Sequence, residues 1–121
     1  MEMEDRIRLL FQSVDQGQVD DFLTFLSQDV LFRFGNAPPV QGRTEVGNAV
    51  RGFLGSIKAL HHDLVEVWMQ PSAVTCHGTV TYTRHDATTL TVPFATIFKL
   101  SGEEIREYLI YVDICDLYSH A

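Results

Sequence analysis

Residues 59–84, ALHHDLVEVWMQPSAVTCHGTVTYTR, decide the fold. His62, Leu64, Glu66 and Trp68 alternate with His61, Asp63, Val65, Val67 and Met69 as far as Pro71-Ser72, a turn signal. Beyond the turn Val74, Cys76, Gly78, Val80 and Tyr82 share one face, and Thr75, His77, Thr79, Thr81 and Thr83 the other. A period of two on both sides of a short turn predicts an antiparallel hairpin. His85-Asp86-Ala87 is a polar break, and residues 89–100 run on as a third β-rich segment. Ser101-Gly102-Glu103 then turns the chain into a last strand over 104–115. The second half is thus a four-stranded antiparallel meander.

Upstream the period is helical. Ile7, Leu10, Phe11 and Val14 form one apolar stripe, closed by Gly17 as a C′ residue. Val19, Phe22, Leu23 and Leu26 repeat the spacing in a second helix, with Asp20 and Asp21 near its favourable N-terminal end. Residues 29–34 (DVLFRF) predict a short strand that runs into the loop GNAPP. A third helix follows, capped by Gly42 or Thr44, with Val46, Ala49, Val50, Phe53, Leu54 and Ile57 at helical spacing. The expected fold class is α+β, a single domain over residues 1–121. Three N-terminal helices pack on one face of a curved antiparallel sheet, and one pocket lies where curvature keeps the two layers apart.

Composition narrows the function classes. The chain has 121 residues, 45% of them hydrophobic, and a formal charge of −7. Only nine Lys and Arg are spread along it, too few for a phosphate-binding surface, so neither nucleic acid nor anionic membrane is an expected partner. Residues 1–5 lack the basic start of a signal peptide, and no apolar run approaches the roughly 18 residues of a membrane span. The expected location is the cytoplasm. Cys76 and Cys115 then read as two reduced thiols inside apolar runs, although a disulfide between them stays open.

Alternation assigns the faces of the last strand. Glu107, Leu109, Tyr111 and Asp113 share one side and Arg106, Tyr108, Ile110, Val112 and Ile114 the other. The first side is expected to line the pocket, and the second to pack on another subunit; one β-bulge would exchange the two. Asp113 then has two readings: a pocket acid whose pKa apolar walls raise, or a structural carboxylate bonded to a loop amide or to Arg33. Tyr111 is the candidate hydrogen-bond partner of a ligand, and Leu109 lines the pocket beside it. Phe34, Trp68, Tyr82, Phe94 and Phe98 are candidates for an aromatic wall suited to a flat apolar ligand. His62 enters from the Leu64 and Trp68 face, while Asn36 and Arg33 stand at the mouth of the first strand. His61 and His62 are adjacent and point to opposite faces, and His77 and His85 fall elsewhere, so no metal site and no cofactor are expected.

The order of elements, Val40-Gln41-Gly42-Arg43 before the third helix, and Ile105-x-Glu107 with Asp113 in the last strand resemble the SnoaL-like branch of the nuclear-transport-factor-2-like superfamily. The resemblance implies a cone-shaped fold that hosts isomerases, cyclases, hydrolases, dehydratases and non-catalytic modules alike. A ketosteroid isomerase would need a Tyr, a base and an acid where this chain has Leu10, Phe34 and Thr96, and Thr96 is kept here as a candidate ligand-binding residue. A limonene-epoxide-hydrolase-like site would need an Asp near Ile110 and an Arg-x-Asp in the third long strand. A SnoaL-type cyclase relies mainly on one carboxylate, matched by Asp113.

Two hypotheses follow. One is an enzyme, a cyclase, isomerase or hydrolase acting on a small apolar carbonyl compound, with Asp113 as acid/base and Tyr111 or Asn36 polarising the carbonyl. The other is a non-catalytic domain that binds a small hydrophobic ligand or dimerises. In either case a homodimer is expected through the outward sheet face, with Thr75, Thr79, Thr81, Ile97, Tyr108, Ile110 and Val112.

Overall fold

In the computed structural model, which describes residues 2–118, the apolar stripe of the N-terminal segment becomes helix α1, Met3–Asp15. Ile7, Leu10 and Phe11 are buried along it, and Ser13 satisfies its hydroxyl on the Leu9 carbonyl at 3.0 Å. Gly17, at φ 71°, ends the turn by donating its N–H to the Val14 carbonyl. The second helix, α2, is shorter than its spacing suggested, Val19–Leu23. Leu26 is buried as expected, but as the first residue of strand β1, Leu26–Phe34. An apolar residue at i+7 is buried equally well by one more helical turn or by a chain that straightens into the sheet.

A two-residue strand β2, Val40–Gln41, lies beyond the Pro-rich loop, and Gly42 caps helix α3, Arg43–Gly55, with φ 94°. The meander follows as β3 (Ala59–Gln70), β4 (Ala73–Thr83), β5 (Thr89–Ser101) and β6 (Glu104–Val112). The six strands form one curved sheet in the order β2-β1-β6-β5-β4-β3. The sheet is not wholly antiparallel: β1 runs parallel to β6, with Phe32 opposite Tyr108 and Phe34 opposite Ile110. Alternation along one strand carries no information about its neighbour's direction, so this pairing was not readable in advance.

Two β-bulges reset the facing of side chains. On β3 Leu64 pairs with Gly78 and Glu66 with His77, which leaves Val65 as the extra residue. Val67 therefore turns toward the core, and Trp68 turns outward. Gly78 permits this bulge, because a Cβ there would meet the Asp63 carbonyl oxygen at 1.9 Å. On β6 Leu100 pairs with Ile105 and Lys99 with Glu107, so Arg106 is extra. Ile105 and Tyr108 are both buried as a result, at 2% and 3% exposure.

The core lies between the helices and the inner face of the sheet. Leu10, Phe22, Val30, Val46, Val74 and Phe98 are fully enclosed there, each worth roughly 1.5–3 kcal/mol in apolar surface removed from water. Among the described residues no helix is long and apolar enough to cross a membrane.

Candidate functional site

Where the sheet curves away from α1 and α3, a cavity of about 530 Å³ remains. Phe11 and Val14 of α1, Phe22 of α2, and Val50 and Phe53 of α3 form its helical wall. The sheet contributes Phe32 and Phe34, His62, Val80 and Tyr82, Phe94 and Thr96, and Tyr108, Ile110 and Val112. Gly35–Pro38 on one side and Asp113, Ile114, Cys115 and Tyr118 on the other frame the mouth. Tilted and edge-on ring pairs tie the wall together, Phe34 with Phe53 at 4.8 Å and Phe53 with Tyr82 at 5.8 Å between centroids. No Lys or Arg is among the lining residues.

The polar groups are few, and their partners define the site. His62 donates its backbone N–H to Asp15 Oδ2 at 3.0 Å, and its ring Nδ1 lies 2.6 Å from Asp15 Oδ1. Both side chains are largely enclosed, 14% and 16% exposed. The ring is held between Phe11 and Phe94, with centroids at 4.8 and 5.2 Å. Nδ1 is thus the ring nitrogen engaged by the carboxylate, and the ring borders the cavity.

Thr96 is 1% exposed, and its Oγ1 has no protein partner. Burial pushes the hydroxyl of Tyr108 well above its ordinary pKa, helped by the nearby acidic groups of Cys76, Asp15 and Tyr82. Tyr82 is raised in the same sense, chiefly by burial. Both phenols are thereby kept neutral, able to donate a hydrogen bond.

The structure brings together Phe34, Asn36, His62, Tyr82, Phe94 and Thr96, as the sequence suggested, with Asp113 at the rim. It corrects the others. Trp68, past the Val65 bulge, lies on the opposite face, 48% exposed and stacked on His77 with an interplanar angle of 10°. Leu109 and Tyr111 are turned outward by the Arg106 bulge, and the Tyr111 hydroxyl accepts from the Arg33 guanidinium at 3.0 Å. Tyr108, Ile110 and Val112, assigned to the subunit-facing side, line the cavity instead. Phe98 lies behind the wall, packed on Tyr108 at 4.6 Å between centroids.

Asp113 is past the end of β6, and its Oδ1 accepts the Cys115 backbone N–H at 2.9 Å. That bond holds its carboxyl below the usual range, the reverse of the elevated pKa expected of an acid between apolar walls. Its partner is the loop amide of the structural reading, not Arg33. Cys76 and Cys115 are not joined in a disulfide, Cys76 being buried and Cys115 exposed.

Sequence reasoning missed Asp15, whose signal was a carboxylate four residues after Phe11, on the buried stripe of α1. It also missed Tyr108, which the facing of the last strand had hidden. His61 and His62, expected to diverge, both approach Asp15, His61 Nδ1 lying 3.6 Å from Oδ2. Among the described residues no His, Cys, Asp and Glu cluster could hold a metal ion.

An α+β cone with an apolar cavity between helices and sheet is the architecture of the nuclear-transport-factor-2-like fold, and solved structures of that kind match closely. A polyketide-cyclase candidate from Xanthomonas campestris pv. campestris superposes with a TM-score of 0.87 at 17% identity, over 97% of this chain and 94% of its own. A nuclear-transport-factor-2-like protein of unknown function from Burkholderia pseudomallei gives 0.87 at 14% identity, over 98% and 97%. An LEH-like epoxide hydrolase from M. tuberculosis gives 0.78 at 12% identity, over 93% and 84%. At such identities the likeness is one of fold. No curated protein matches the chain. The SnoaL-like domain profile matches residues 7–108, and the chain belongs to that family.

Proposed function

We propose that this protein is an acid–base enzyme acting on a small, uncharged, largely apolar carbonyl compound, with His62 as the base and Asp15 as its orienting carboxylate. The observation that carries the reading is the 2.6 Å contact between His62 Nδ1 and Asp15 Oδ1 at the wall of an apolar cavity. A carboxylate on Nδ1 fixes the tautomer, leaves the Nε2 lone pair to take a proton, and stabilises the imidazolium that forms. A neutral hydroxyl donor is the complement such chemistry requires, because a proton removed beside a carbonyl leaves negative charge on oxygen. Thr96 supplies a hydroxyl without a protein partner, and Tyr108 supplies a neutral phenol.

The choice of substrate follows from the lining. A cavity without Lys or Arg in a chain of net charge −7 gives no counter-ion to a carboxylate or phosphate. Aromatic walls favour a flat molecule, and Asn36 at the mouth is placed to orient a polar end. The matched polyketide-cyclase candidate supports carbonyl chemistry only at the level of fold.

Asp113 and Tyr111 keep a secondary place in this proposal. Asp113 borders the mouth, where it could meet the outer end of a ligand, whereas Tyr111 could act there only through a change in facing. The competing reading is a non-catalytic hydrophobic-ligand-binding or dimerisation domain, favoured by the scarcity of polar groups in the cavity. A homodimer in the cytoplasm is compatible with both, and the outer sheet face with Thr75, Thr79, Thr81, Ile97 and Leu109 would form its interface. Sedimentation as a monomer at micromolar concentration would remove that interface.

The test is turnover of a panel of uncharged aromatic ketones and enones by the wild type, His62→Gln and Asp113→Asn. The reading expects a loss of about 10²–10⁴-fold in His62→Gln with ligand affinity retained, and a lesser loss in Asp113→Asn. Equal turnover by wild type and His62→Gln overturns it; binding without turnover by any of the three favours the binding domain.

A further inference from the structure

An imidazolium formed at His62 lies between two phenyl rings, and the geometry on the outer side of Asp15 offers its Nδ1 proton a way to solvent. β3 is one of the two edge strands of the sheet, and the His62 amide is among those that point to its open side, where it meets Asp15. Asp15, at the end of α1, accepts that amide and so lies along the strand edge, where side chains from both faces of β3 can reach round to it. His62 approaches from the cavity and His61 from the surface. His61 Nδ1 is 3.6 Å from Asp15 Oδ2, and its Nε2 is 3.1 Å from Asp63 Oδ1. The side chains of His61 and Asp63 are both 66% exposed, against 14% for His62, so the row runs from interior to solvent. Its outer end opens into a surface groove bordered by Arg8, Gln12 and Asp63, which shares His62 with the cavity.

We infer that Asp15, His61 and Asp63 form a proton relay connecting the cavity histidine to bulk solvent while a ligand occupies the mouth. The inference rests on the reading of His62 as the base. An imidazolium formed at His62 gives its Nδ1 proton to Asp15 Oδ1. Rotation about the Asp15 Cβ–Cγ bond carries that proton to the His61 side, where it passes to His61 Nδ1, and His61 releases its Nε2 proton to Asp63 or to water. His62 is left neutral with the substrate-derived proton on Nε2. When that proton is delivered to product, the same row run backwards restores the proton on Nδ1, and no proton is gained or lost overall. The 3.6 Å step exceeds a hydrogen bond and is closed by rotation of the exposed His61 ring or by one bridging water. His61 is thus a positioning and relay residue, outside the cavity, and adjacency to His62 in sequence is what places it.

Exchange of the His62 Nδ1 proton with water, read by proton NMR from the width of its hydrogen-bonded downfield resonance and from saturation transfer, tests the relay without any substrate. His61→Gln is expected to slow that exchange about tenfold, and added imidazole buffer, entering the groove, is expected to restore it. Asp63→Asn should slow it less. Equal exchange in wild type and His61→Gln overturns the relay, as does slowed exchange that imidazole leaves unchanged. Either failure leaves His62 as the base untouched, because that reading is decided by turnover of His62→Gln.

Discussion

His62 on β3 and Asp15 at the end of α1, 47 positions apart, meet through two contacts to one carboxylate, ring Nδ1 on Oδ1 and backbone N–H on Oδ2. This pair ties the first helix to the free edge of the sheet and sets the orientation of the imidazole in the cavity. Replacement of Asp15 separates the two roles. Asp15→Asn keeps a hydrogen-bond acceptor but removes the charge that fixes the tautomer, so kcat is expected to fall with KM little changed. Asp15→Ala leaves an enclosed N–H without a partner and is expected to cost a further 1–3 kcal/mol or so of stability. Steady-state kinetics beside urea unfolding of the two variants checks both statements.

Gly78 is required by contact, not by backbone torsion. A methyl group there would lie 1.9 Å from the Asp63 carbonyl oxygen across the bulge. Gly78→Ala is therefore expected to destabilise the fold by roughly 3 kcal/mol, and to do so by displacing the segment that carries His61 and His62. Thermal unfolding measures the loss, and hydrogen exchange of β3 amides locates it.

Thr96 keeps an unsatisfied hydroxyl at 1% exposure. Without ligand, Thr96→Val removes a buried polar group at nearly constant shape and is expected to raise stability by up to about 1 kcal/mol. With a carbonyl ligand bound the sign reverses, because the hydrogen bond to ligand oxygen is lost. Melting temperatures of both proteins, with and without the ketone that binds best, show whether the crossover occurs.

Burial pushes the Cys76 thiol up to about 12, from 9.0 in its ordinary state. A thiol raised in the folded state binds its proton where the unfolded chain has lost it. Its contribution is therefore complete below about pH 9 and declines as pH rises toward 12. Tyr82 and Tyr108, both raised by burial, add to the decline above pH 10. Stability measured by denaturant titration should be level between neutrality and pH 9 and fall steeply beyond it. In the native protein at pH 8 a thiol reagent should modify Cys115 alone, and slowly, since the Asp113 and Asp116 carboxylates also raise that thiol. Both cysteines should react after unfolding.

Much of this architecture was legible in the chain itself. Ile7, Leu10 and Phe11 could be buried together only on a helix, and Val74 to Tyr82 only on a strand, because each spacing matches one backbone period. Phe34, Tyr82 and Phe94 were named for their rings and Thr96 through the family resemblance, and all four line the cavity; alternation was the argument for the facing of the last strand. It failed for Trp68, Leu109 and Tyr111, and in each case a bulge intervenes, at Val65 or at Arg106. Alternation defines two faces but not which faces inward, and one unpaired residue exchanges them without leaving a mark in the pattern.

By itself the sequence determined the order of the helices and the longer strands, the apolar character of what lies between them, and the net charge of −7. These depend on local period and composition, which each segment carries alone. Only the tertiary structure decided which side of β6 meets the cavity, that β1 runs parallel to β6, and that Asp15 reaches His62. Those facts depend on hydrogen bonds between segments far apart in the chain, and no local pattern encodes a partner. Asp113 shows the difference: the sequence left it either a pocket acid or a structural carboxylate, and the Cys115 amide that lowers its pKa was fixed by the turn that follows the last strand.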